Sequence, residues 1–155
     1  MAYSLEDVVQ WFLSKDSMTP KKLQKILYYA YAWTLTLENE EANDLNNKLF
    51  DEKFEAWVHG PVIREVYETF RVYGYQEIPK VDNAPSVFSE DILEILEDVW
   101  DEYGQYTGNQ LESITHQEDP WINARNGYSP IERCTEVISD EDIFTYYIQR
   151  VEYVD

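Results

Sequence analysis

Apolar residues recur at spacings of three and four along most of this chain, the signature of helices with one buried face. Ser4 caps the first such run, in which Leu5, Val8, Val9, Phe12 and Leu13 share a face; it ends near residues 14–17. Thr19-Pro20 then sets a start signal, a hydroxyl at the N-cap and a proline at the first helical position, where its missing N–H costs nothing. The second helix is expected to reach about Thr36, with a stripe of Leu23, Ile26, Leu27, Ala30, Trp33 and Leu37. Residues 38–47 are polar and acidic and read as a loop.

The period changes at Phe54, Ala56 and Val58, which alternate with Glu55 and Trp57 as in a short extended segment. Gly60-Pro61 is read as its end. Val62, Ile63, Val66, Phe70 and Tyr73 carry a third helix that stops at Gly74, and residues 75–81 suggest a second extended piece. Ser89 opens a fourth helix facing inward through Ile92, Leu93, Leu96, Val99, Trp100 and Tyr103. A turn over 104–108 leads to a short helix over 109–116, Asp119-Pro120 supplies an N-cap and first position for another, and Ser139 caps a last helix bearing Ile143, Phe144, Tyr147, Ile148 and Val151. The expected fold is mainly α: a compact single-domain bundle of about six helices with at most a short two-stranded β element.

Composition sharpens this picture. A chain of 155 residues is enough for one domain with a real core. Its 13 Tyr, 5 Trp and 6 Phe supply bulky side chains whose polar tips need partners. The single Cys134 excludes an intramolecular disulfide framework and fits a reducing compartment. No basic, apolar, cleavable leader opens the chain and no apolar run approaches a membrane span, so a cytoplasmic protein is expected.

Charge changes the picture most. With 31 acidic and 12 basic residues the net charge is -19, a field that repels phosphate backbones and disfavours direct DNA or RNA binding. The fourth helix concentrates it: Glu90, Asp91, Glu94, Glu97, Asp98, Asp101 and Glu102 cover its outer face, and no Lys or Arg occurs over residues 81–124. A charge run is usually a solvated face. Left uncompensated over so long a stretch, this one is also a candidate surface for a basic partner, with Glu90, Glu94, Glu97, Asp98, Asp101 and Glu102 as its contacts.

Lys21, Lys22 and Lys25 form the densest basic cluster, at a helix N-terminus that ordinarily favours anions. They can hold a carboxylate or phosphate, or simply pair with the chain's own acids. His59 and His116 are far apart in sequence and in no metal-ligand spacing; converged, they would form an acid/base or metal pocket with Glu118 and Asp119. Arg133 precedes Cys134, but nothing marks a histidine as a partner for a nucleophilic thiol. No glycine-rich phosphate loop is present. Neither a catalytic residue, a metal ligand nor a cofactor is assigned.

Three phrases belong together: MTPKKLQKILYYAYAW over residues 18–33, LFDEKFEAWVHGPVIREVY over 49–67 and THQEDPWINAR over 115–125. In this order they resemble the Panacea domain, also known as the SocA-like or GepA-like family of phage-associated proteins. The resemblance spans about 3–125 as shared scaffold, within a single domain over 1–155, and leaves a variable C-terminal region at 127–155. Its matching positions include Thr19, Lys25, Tyr28, Tyr29, Trp33, Trp57, Gly60, Pro61, His116, Asp119, Pro120 and Trp121, read mostly as scaffold. The chain departs from the pattern at Tyr31, where many relatives are polar, and at Thr34, where a histidine is common. The family implies a non-enzymatic antitoxin that neutralises a cognate protein toxin by direct contact, and the acidic surface makes a basic toxin its natural complement. A phage-encoded acidic inhibitor of a host defence or nucleic-acid enzyme, mimicking nucleic acid, is the alternative.

Overall fold

The structure, a computed structural model, describes residues 2–154, with side chains of the last helix up to Val151. Among these residues it holds seven α-helices: α1 (Leu5–Leu13), α2 (Pro20–Leu37), α3 (Arg64–Phe70), α4 (Glu90–Tyr103), α5 (Gly108–Thr115), α6 (Asp119–Ala124) and α7 (Asp140–Val154). One antiparallel hairpin joins β1 (Glu55–Trp57) to β2 (Gly60–Val62). The mainly helical bundle with a two-stranded element stands as expected, and its seven helices match the seven runs read one by one from the sequence.

The helix starts follow from local chemistry. Ser4 Oγ accepts the Asp7 amide at 3.1 Å, Thr19 Oγ1 that of Lys22 at 3.2 Å, Ser89 Oγ that of Ile92 at 3.4 Å and Ser139 Oγ that of Asp142 at 3.2 Å. Thr107 and Gln110 form a reciprocal capping box for α5, inside the stretch expected to be a turn. Helix α6 differs by one position: Glu118 is the N-cap and Asp119-Pro120 the first two helical residues, because the Glu118 backbone is already extended.

Helix α2 is the axis of the molecule, packed by α1, α3, α4, α5, α7 and β2. It is therefore buried on nearly every side, continuously from Leu23 to Ala32, instead of along one stripe. Leu37, expected inside, is 48% exposed at its end, and Trp33 is half-buried. On α4 the buried set is Ile92, Ile95, Leu96 and Val99, while Leu93, Trp100 and Tyr103 pack at the periphery.

Gly60-Pro61 does not end the extended segment. It turns the chain back, pairing Ala56 with Pro61 and Trp57 with Gly60, and α3 starts only at Arg64. Proline is tolerated because β2 is an edge strand, where a missing ladder N–H costs little. On the other side of β1, Ala56 donates its amide to Glu136 O at 2.9 Å and Ile138 donates to Phe54 O at 2.8 Å, so the tail extends the hairpin. Residues 75–81 make only an isolated bridge, Met18 to Ile78.

Candidate functional site

The three motif phrases meet where the β1–β2 turn closes over α2 and the α5–α6 corner. Lys25 lies beneath the turn, 1% exposed, donating to Pro61 O at 3.2 Å. Gly60 has φ +107, and a Cβ there would stand 2.6 Å from Lys25 Cε and 3.1 Å from Thr115 Oγ1. Only glycine fits both the backbone angle and the contact. Burial pulls the Lys25 ammonium down to a pKa of about 7, with Glu112 opposing and Lys21 assisting. Beside it, Gln24 clamps the start of α3 by a reciprocal pair, Nε2 donating to Ile63 O at 3.0 Å and Oε1 accepting the Ile63 amide at 2.9 Å.

The rest of the basic cluster is spent inside the molecule. Lys21 binds Glu112 at 2.7 Å and Asn109 at 3.0 Å, and Lys22 donates to Gly104 O at 2.6 Å while lying over the Trp100 ring. The carboxylate held at this end of α2 is thus the chain's own Glu112, which also meets His59 Nδ1 at 3.2 Å. Burial alone would raise the Glu112 pKa; Lys21 and His59 outweigh it and bring it below the ordinary value.

The two histidines do approach one region. His116 stacks on Trp121 with ring centroids 4.0 Å apart, and burial lowers its pKa, so it is neutral near pH 7. Its Nε2 is buried without a hydrogen-bond partner among the described residues. His59 sits on the surface of the hairpin turn, its side chain 70% exposed. Glu118 does not join them. It turns into the core, where Oε1 accepts from the Tyr29 hydroxyl at 2.9 Å and the Tyr147 hydroxyl at 2.6 Å, with the Tyr28 hydroxyl 3.4 Å from that of Tyr147. Burial raises its pKa against those two hydrogen bonds and holds all three tyrosines neutral, well above their ordinary range. Asp119 is exposed at the start of α6, and Pro120 is buried behind it. No group of three His, Cys, Asp or Glu residues suited to a metal ion occurs among the described residues.

Tyr29 extends the network outward by stacking on Tyr103 at 3.9 Å and 6°, whose hydroxyl accepts the Trp33 indole N–H at 3.0 Å. Trp121 donates to Trp57 O at 2.9 Å, fastening α6 to the hairpin. Arg125, 5% exposed, donates to Ala56 O at 2.8 Å, Ser129 O at 2.9 Å and Glu132 O, and lies over the Trp121 ring. Sequence reading overlooked Gln24, Glu112, Tyr147 and Arg125 as functional partners. Arg125 alone carries a visible signal, as the first cation after residues 81–124 without any. Cys134 is buried, 2% exposed.

The candidate docking acids lie elsewhere. Glu90, Glu94, Glu97, Asp98, Asp101 and Glu102 are all exposed along the outer face of α4, and only Glu97 of the six has an ion pair among the described residues, with Lys15 at 2.9 Å.

A helical domain whose recurring polar residues lock its own hairpin, corner and central helix together is the class these features define. A family model described as "Antitoxin SocA-like, Panacea domain" matches residues 23–122, more than half of the chain, and the protein belongs to that family. Neither a curated protein nor a solved structure matches it. The match begins inside α2 and ends inside α6, so it contains the turn, the lysine beneath it and the α5–α6 corner.

Proposed function

We propose that this protein is the antitoxin of a toxin–antitoxin pair, neutralising a cognate protein toxin by direct binding and catalysing no reaction itself. The family match carries the reading. The disposition of polar groups supports it: Lys25 is sealed under Gly60, Glu118 is enclosed by tyrosines, and His116 is packed on Trp121. These groups serve the fold, and neither metal nor cofactor is called for.

The docking surface is the outer face of α4, Glu90 through Glu102, with a basic toxin as its complement. A negative patch on a chain of net charge -19 speeds encounter with a cation-rich protein and repels nucleic acid. No helix among the described residues is long and apolar enough to cross a membrane.

Co-expression with the product of the adjacent gene tests the reading. Growth should be restored and the two proteins should co-purify; a toxic neighbour left unopposed, with no complex on mixing, sinks it. Replacing Glu94, Glu97, Asp101 and Glu102 by their amides should slow association about tenfold at low salt and flatten its salt dependence. Unchanged kinetics would leave the acidity of α4 as a solubility device.

A further inference from the structure

An apolar groove of about 260 Å³ lies between the end of α2 and the flank of α4. Trp33 and Leu37 form one wall; Ile95, Val99 and Tyr103 rise turn by turn along the other. Trp33 spends its N–H on the Tyr103 hydroxyl at 3.0 Å, so the indole donor is already satisfied where these two residues line the groove. Leu37 is 48% exposed, a large apolar side chain at a helix end with nothing over it. Asp98 and Glu102 stand on the rim one helical turn apart, and neither side chain has an ion pair or hydrogen bond among the described residues.

The groove is smaller than the roughly 300–1,000 Å³ of sites that enclose small molecules. It has room for an anchoring side chain instead. Two ladders run along it in parallel, apolar residues at 95, 99 and 103 and acids at 94, 98 and 102, each repeating every about 5–6 Å. A partner helix with apolar residues three and four apart and cations beside them has the same repeat. Charge complementarity disfavours an acidic occupant: both charged residues lining the groove, Asp98 and Glu102, are acids, and no Lys or Arg occurs over residues 81–124.

We infer that this groove seats an amphipathic, basic helix of a protein partner, with apolar anchors between Leu37 and Val99 and Lys or Arg over Asp98 and Glu102. The inference rests on the toxin-binding reading and narrows it to one edge of α4.

Two synthetic peptides of about 18 residues, identical in Leu, Lys and Ala content, test it. One places Leu on a single helical stripe with Lys alongside; the other shuffles the order so that no stripe exists. Calorimetric titration of the full chain should show the striped peptide binding about tenfold more tightly. Leu37→Ser, a surface change that should leave the thermal midpoint in place, should abolish most of that preference, and Asp98→Asn with Glu102→Gln should weaken the striped peptide most. Equal binding of both peptides, or a preference surviving Leu37→Ser, overturns the inference. Co-expression separates the two levels. Protection by wild type and Leu37→Ser alike, at equal protein levels, removes the groove and keeps the antitoxin. Protection by neither removes the toxin reading, while the peptide preference still decides the groove.

Discussion

Lys25→Met exchanges a buried amine for an apolar chain of similar length, and the structure sets both sides of the balance. The ammonium falls from its ordinary value of 10.5 to about 7 in the folded protein, chiefly through burial beneath the Gly60 turn. Between these values the unfolded chain binds a proton that the folded chain does not, so stability rises with pH across that window and the handicap is complete below it. At about 1.4 kcal/mol per pH unit, wild type carries a handicap of roughly 4 kcal/mol at pH 7. Methionine removes it but orphans the Pro61 carbonyl, which costs about 1–3 kcal/mol. The variant should therefore be more stable than wild type at pH 7, by about 2 kcal/mol, and less stable near pH 10. Urea unfolding of both proteins at pH 7, 8.5 and 10 reads the difference directly, and common changes in other lysines cancel. A stability difference that keeps one sign and size across the range refutes the assignment of Lys25 as a buried amine that sheds its proton near pH 7.

Two further outcomes follow from the same hub. Gly60→Ala should destabilise by roughly 3 kcal/mol in chemical denaturation, combining a positive-φ alanine with the clash on Lys25; a loss under about 1 kcal/mol would mean that the turn relaxes freely. Arg125→Met should cost about 3 kcal/mol and free residues 126–138 for early proteolysis, since one guanidinium ties Ala56, Ser129 and Glu132 together; a tail still resistant to protease would show that its strand-like pairing with β1 suffices.

The helix starts were legible because capping is local. A hydroxyl at Ser4, Thr19, Ser89 or Ser139 needs only amides three residues on, so sequence and structure agree there. The acidic face of α4 was equally plain, because charges spaced along one helix stay outside whatever packs behind them. The single stripe assigned to α2 was too narrow: Leu23, Ile26, Leu27 and Ala30 are buried as read, but periodicity measures one contact face, and this helix has neighbours on nearly all of its faces. The hairpin was half seen, since Gly-Pro punctuates a chain without saying whether it stops a strand or folds it back. Of the functional reading, the three phrases led to the family, and the match over residues 23–122 bears that out.

By itself, the sequence determined the helical class, the caps at Ser4, Thr19, Ser89 and Ser139, the charge and the kinship, because each depends on residues close together or on a simple sum. Tertiary structure alone decided that Lys25 is buried and Lys21 paired, that Glu118 leaves the histidines for the tyrosines, and that Leu37 borders an open groove. Those outcomes depend on which distant elements arrive beside a side chain and remove its water. That desolvation turns one lysine of a cation-rich helix start into a buried fastening that sheds its proton near pH 7.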